Sequence, residues 1–125
     1  MTTNETTEIA KKYVSLCSEG KFEACLRELY SNDASSVEAW SPPGVERIAN
    51  GLTAIRAKGE AWGRDHEIHE LKVSGPYPLE QRFAVHFRLD VTNKPSGRRM
   101  VMEEVGLFTI EKGKIIREEF FYSAG

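Results

Sequence analysis

The chain has 125 residues, 40% hydrophobic and 29% charged, with a formal net charge of −2. That length fits one domain, 1–125, with a core that needs neither metal nor crosslink. Basic residues are dispersed among acidic ones, which argues against a phosphate-tracking nucleic-acid surface, and no apolar run approaches the length of a membrane span.

The two cysteines, Cys17 and Cys25, follow no recognisable secretory segment, so a reduced, cytoplasmic protein is expected, with both thiols as small buried hydrophobes. Thr6-Thr7-Glu8 begins a helix whose apolar stripe is Ile9, Tyr13 and Leu16, and Gly20 ends it. A second short helix carries Phe22, Cys25, Leu26 and Leu29 and stops near Tyr30-Ser31-Asn32. Ser35 to Trp40 follows as a short strand, broken by Ser41-Pro42-Pro43-Gly44. After Asn50-Gly51 a third helix presents Leu52, Ile55, Gly59 and Trp62, with Gly63 as its expected end.

The period then changes from helical to alternating. Glu67, His69, Leu71 and Val73 alternate with Ile68, Glu70 and Lys72 up to Ser74-Gly75-Pro76. Phe83, Val85, Phe87, Leu89 and Val91 form the clearest strand. Lys94-Pro95-Ser96-Gly97 turns it into a partner around Met100 to Ile110, and Lys112-Gly113 turns that into a last strand. Helices followed by a meander imply an α+β domain with helices packed on one face of a sheet.

Alternation in the last strand puts Ile116, Glu118, Phe120 and Tyr122 on one face and Ile115, Arg117, Glu119 and Phe121 on the other. A bulge would turn Glu119 inward in place of Glu118. Glu103 and Glu104 are adjacent, so one must face inward; parity with Phe108 and Ile110 favours Glu104. Two carboxylates sharing an apolar interior would raise at least one pKa and suit proton transfer. The structural alternative pairs Glu103, Glu104, Glu118 and Glu119 with Arg88, Arg98, Arg99 and Arg117 across the outer face. His69 shares parity with Leu71 and Val73 and is expected inward as an acid–base candidate, whereas His86 is expected outward. No close His, Cys and carboxylate cluster suggests a metal, and no glycine loop suggests a nucleotide.

The order of elements, with Tyr13-Val14-Ser15-Leu16, Tyr30-Ser31-Asn32-Asp33-Ala34 and Gly113-Lys114-Ile115, resembles the nuclear transport factor 2-like superfamily, in particular its SnoaL-like and ketosteroid-isomerase-like branch. The resemblance implies a cone: three N-terminal helices on a strongly curved, mainly antiparallel sheet, with a deep apolar pocket between the sheet and the first helix. By that resemblance Tyr13 is an oxyanion donor and Glu38 the base, while the isomerases' protonated acid falls near Val105-Gly106, where this chain has no acid. Glu104 is the nearest carboxylate of the same parity. The implied pocket walls are Trp40, Trp62, Phe87, Phe108, Phe120 and Tyr122.

The implied activity is proton transfer without cofactor or metal on a small apolar carbonyl or hydroxyl compound. Isomerase, cyclase and dehydratase chemistry all fit, with Tyr13, Glu38, His69, Glu104 and Glu118 as the catalytic candidates. A noncatalytic ligand-binding or assembly module of the same fold is the competing reading. A homodimer through the sheet is also expected, with Ile115 and Phe121 on its outer face.

Overall fold

The computed structural model describes residues 2–123. Two helices open the chain, α1 (Thr3–Ser18) and α2 (Phe22–Leu29), followed by strands β1 (Tyr30–Val37) and β2 (Ile48–Asn50). Helix α3 (Leu52–Asp65) comes next, and then the long strands β3 (His66–Leu79), β4 (Arg82–Asn93), β5 (Arg98–Glu111) and β6 (Lys114–Phe121). The third helix thus follows two strands, so the helices are not all N-terminal. The six strands form one sheet in the order β2-β1-β6-β5-β4-β3, antiparallel except where β1 runs parallel to β6.

Helix α1 begins earlier than its apolar stripe suggests because Thr2 caps it: the Thr2 hydroxyl accepts from the Glu5 backbone N–H at 3.2 Å. Thr2 and Glu5 occupy the first and fourth places of a capping box, a device worth about 1 kcal/mol. The buried face is Thr6, Ala10, Tyr13 and Cys17, one position around from the expected stripe. Helix α2 runs into β1 without a break, and Lys114 Nζ donates to the Glu28 carbonyl at 2.8 Å at the end of α2. The Cys17 and Cys25 sulfurs lie 3.7 Å apart between α1 and α2, both buried and both free thiols.

Strand β1 starts at Tyr30, five residues before its expected start, because the Leu29–Tyr30 junction passes directly from helix into pairing with β6. β2 is an element that periodicity did not reveal; three residues are too few to show alternation. β3 continues through Gly75-Pro76, where its register with β4 shifts, and the chain reverses at Glu80, whose φ is 54°. Lys112 and Gly113 both take positive φ, the tight hairpin geometry that their sequence suggests.

The core lies between the helices and the inner sheet face. Tyr13 sits at its centre, with its ring 5.7 Å from Phe83, 6.4 Å from Phe87 and 4.5 Å from Phe108. Each such buried aromatic side chain contributes roughly 1.5–3 kcal/mol. These rings pack between α1 and the sheet, the place where the resemblance implies a deep apolar pocket.

Two bulges decide which side chains reach that interior. On β6, Ile110 pairs with Ile115 but Thr109 pairs with Arg117, so Ile116 is the extra residue. Ile115 is therefore fully buried, correcting its expected place on the outer face, while Glu118 and Phe120 keep the inward side. On β3, Ile68 pairs with Val91 and Glu70 with Asp90, leaving His69 unpaired. His69 is exposed, and its Nε2 lies 2.7 Å from the Thr92 hydroxyl. The expected inward orientation of His69 is corrected: the unpaired residue of a bulge leaves the alternation that assigned it.

Gly106 is the tightest point of the inner face. A Cβ there would lie 2.8 Å from two atoms of the Phe108 ring and 3.3 Å from Phe120. Substitution Gly106→Ala should therefore destabilise the fold by about 1–3 kcal/mol, seen as a lower urea midpoint with an unchanged m value.

Candidate active site

Strand register brings three carboxylates toward one region of the inner face. Glu118 pairs with Ser36 of β1 on one side and Phe108 of β5 on the other, and Glu104 pairs with the buried Phe87 of β4. The β5–β6 register, carried one residue beyond Val105↔Phe121, sets Tyr122 opposite Glu104. Glu38 lies just past the end of β1, with the parity of Ala34 and Ser36, both buried.

Glu118 is only 5% exposed, so its charge needs donors from the protein. Tyr30 donates its hydroxyl to one carboxylate oxygen, and Ser36 donates to the other at 2.6 Å. Burial pushes the Glu118 carboxyl above its ordinary pKa, against the opposing effects of Ser36, Tyr30 and the Lys58 charge. Lys58, from α3, donates to the Ser36 hydroxyl at 2.6 Å and to Glu38 at 2.7 Å. The Tyr122 hydroxyl donates to the second Glu38 oxygen at 2.7 Å and lies 3.3 Å from the Trp40 carbonyl. Burial, then Glu38, raises the Tyr122 hydroxyl to about 12.

Glu104 is different. Among the described residues its carboxyl makes no hydrogen bond and no ion pair, and its pKa is pushed up to about 7, first by burial, then by Glu38 and Glu118, against the Lys58 charge. A group that is half ionised near neutral pH, held beside fixed donors and acceptors, can both accept and return a proton.

Tyr13, Phe87 and Phe108 lie behind the cluster as sealed core rather than as an open wall. Burial, then Tyr30 and Cys17, hold the Tyr13 hydroxyl well above the usual tyrosine range. Phe120 stands edge-on to Phe108 and beneath the Lys58 ammonium, 5.6 Å from the ring centre. Trp62 stacks on His66 at 4.2 Å, and Trp40 is 51% exposed past the end of β1. His69, on the outer face, is apart from the carboxylates. A groove of about 340 Å³ reaches Glu38 and Phe120 from outside, between Val37, Arg47, Arg117 and Phe121. Among the described residues no group of three or more His, Cys, Asp and Glu side chains is placed to hold a metal ion.

Sequence reasoning missed Tyr30, Ser36 and Lys58 as members of the cluster. Lys58 was detectable: it follows Ile55 by three and precedes Trp62 by four, so it sits on the inward stripe of α3 where a lysine needs a partner. Ser36 shares the parity of Glu38 one strand pair earlier.

A family model described as a SnoaL-like domain matches residues 1–122. The chain belongs to the SnoaL-like domain family. A crystal structure from Mesorhizobium loti, named as a candidate SnoaL-like polyketide cyclase with carbohydrate phosphatase as a second designation, is 38% identical. The match covers 93% of this chain and 97% of that one, with a TM-score of 0.87. A candidate isomerase from Bacillus subtilis shares the fold at 15% identity and a TM-score of 0.77, over 98% of this chain and 90% of that one. A nuclear transport factor 2-like protein of unknown function from Burkholderia pseudomallei does so at 17% and 0.74, over 95% and 91%. No curated protein matches the chain. The SnoaL-like chain is thus an α+β protein of the nuclear transport factor 2-like fold, and none of its helices is long and apolar enough to cross a membrane, among the described residues.

The raised carboxyl has a consequence for stability. Between the ordinary Glu value of 4.5 and about 7 the folded protein holds a proton on Glu104 that the unfolded chain has released. This group's contribution is present at low pH and is lost as pH rises through about 7. The Glu104→Gln variant should lack that slope: it should gain on the order of 1–3 kcal/mol over the parent at about pH 8, with the gap closing toward about pH 4 in urea titrations.

Proposed function

We propose that this SnoaL-like protein is a cofactor-independent proton-transfer enzyme acting on a small, uncharged carbonyl or hydroxyl compound, with isomerisation, cyclisation or dehydration as the reaction type. The single observation that carries this reading is Glu104, a half-buried carboxyl without a hydrogen-bond or ion-pair partner among the described residues, pushed up to about 7 by burial. In the carboxylate form it removes a proton from carbon beside a carbonyl; in the acid form it returns that proton to a second position. Glu38, Lys58 and Tyr122 form the polar side of the same site and orient the substrate oxygen, while Phe120 supplies apolar contact. Tyr13 and Glu118 support the site from the interior.

The candidate cyclase and isomerase names of the structural relatives agree with this class of chemistry. The phosphatase designation fits the cluster less well, because three carboxylates against one lysine repel a phosphate dianion. A noncatalytic ligand-binding or assembly module is the alternative, favoured if Glu104 titrates as an ordinary carboxyl. Buried free thiols suit a reducing cytoplasm. The proposed partner beyond the substrate is a second copy of the chain, through the outer sheet face where Phe121 is 52% exposed beside its cross-strand neighbour Val105. Sedimentation as a monomer at high micromolar concentration would remove that proposal.

The test is exchange of the α-protons of small cyclic ketones into D2O, followed by proton NMR. The parent should accelerate exchange, the rate should rise with pH through about 7, and Glu104→Gln should lose about 100-fold or more of it. His69→Gln should retain it. Equal rates for the parent and Glu104→Gln would overturn the assignment.

A further inference from the structure

Six side chains, from β1, β6, α3 and the residues just past β1 and β6, form one unbroken hydrogen-bonded line. It runs from Tyr30 to Glu118, to Ser36, to Lys58, to Glu38 and out to Tyr122, at distances of 2.6 Å, 2.6 Å, 2.7 Å and 2.7 Å from Ser36–Glu118 onward. Lys58 is its only cation. Its Nζ lies over the Phe120 ring, and its side chain is 32% exposed, so the ammonium is partly removed from water yet linked to two acceptors.

We propose that Lys58 is the positioning residue of this site: by joining Ser36 and Glu38 it commits the inner and outer carboxylates to fixed hydrogen bonds and leaves the mobile proton to Glu104. The inference rests on the proton-transfer reading above and deepens it by saying what sets the charge of the site. The geometry makes the assignment specific. A lysine held only as a surface ion pair would need one partner; Lys58 bridges the Glu38 carboxylate and the Ser36 hydroxyl, which in turn donates to Glu118 on the neighbouring strand β6. One cation shared in this way partly neutralises two carboxylates at once, and the third, on β5, lies close enough to feel its charge.

Polar and charged groups face this line from every packed element. They are Tyr13 and Cys17 of α1, Cys25 of α2, Tyr30 and Ser36 of β1, Glu38 beyond it, Lys58 of α3, Glu104 of β5, Glu118 of β6 and Tyr122 after it. Among these only Lys58 is positively charged. A site of this composition carries net negative charge when its carboxylates are ionised, which selects an uncharged or cationic ligand over an anion.

The test is a carboxyl-carbon NMR titration of Glu104 and Glu118 in the parent, Lys58→Met and Ser36→Ala. Lys58→Met should raise both pKa values, Glu104 by about one unit or more. Ser36→Ala should raise Glu118 and move Glu104 less, because the Lys58–Glu38 pair survives. Unchanged values in Lys58→Met, or equal shifts of both groups in the two variants, would overturn the positioning role. If Lys58→Met does not fold, the Ser36→Ala pattern decides alone: an unmoved Glu118 overturns the proposal, and a selective rise supports it. A parent Glu104 that titrates as an ordinary carboxyl defeats the proton-transfer reading instead, so the two failures are distinguishable.

Discussion

A carboxylate buried at Glu118 obliges its surroundings to supply hydrogen-bond donors, and much of the site follows from that obligation. An unpaired ion at such depth would cost several kcal/mol. Tyr30 and Ser36 meet it from β1, and each charge-assisted bond offsets roughly 1.5–3 kcal/mol of that cost. The parallel pairing of β1 with β6 places Ser36 beside Glu118, so the one parallel contact of the sheet among the described residues is also where its buried charge is satisfied. Lys58 then joins this inner pair to Glu38 at the surface, and the polar line crosses from core to solvent without an unsatisfied buried side-chain atom among the described residues.

The apolar half of the interior is arranged around the same place. Phe108 lies directly across from Glu118 and stacks on Phe83 at 4.8 Å, and its ring occupies the space over Gly106. This explains why an acid at that position has no room in this chain: the volume that an aspartate would need belongs to Phe108. The carboxyl with the same parity, Glu104, lies two residues away, and with no hydrogen bond to it among the described residues its desolvation is opposed by the Lys58 charge alone. Burial raises both carboxyls, but Ser36 and Tyr30 oppose it at Glu118 by hydrogen bonds that Glu104 lacks among the described residues.

The 38% identical relative is matched over 93% of this chain and 97% of its own, so the likeness runs through nearly the whole length of both. The fold itself hosts many chemistries, and a shared architecture carries no substrate with it. The site of this chain is built from Glu38 just past β1, a glycine at 106 under the Phe108 ring, and a lysine on the inward stripe of α3.

The sequence alone determined the class of the fold, the clearest strand and the two hairpin turns around Lys94–Gly97 and Lys112-Gly113; alternation favoured the inward side for Glu104, Glu118, Phe120 and Tyr122 but left Glu119 open in place of Glu118 if a bulge intervened. These follow from side-chain period and turn chemistry, which are local. Tertiary structure decided the rest. Ile115 and His69 changed faces because each lies at or beside a bulge, and a one-residue insertion in a ladder leaves no mark in hydrophobic alternation. Tyr30, Ser36 and Lys58 joined the carboxylates because pairing between distant strands and the docking of α3 brought them there. The fate of the space beneath α1 was likewise a matter of packing: whether Tyr13, Phe87 and Phe108 line a cavity or fill it depends on how closely helix and sheet approach, and no spacing along the chain encodes that distance.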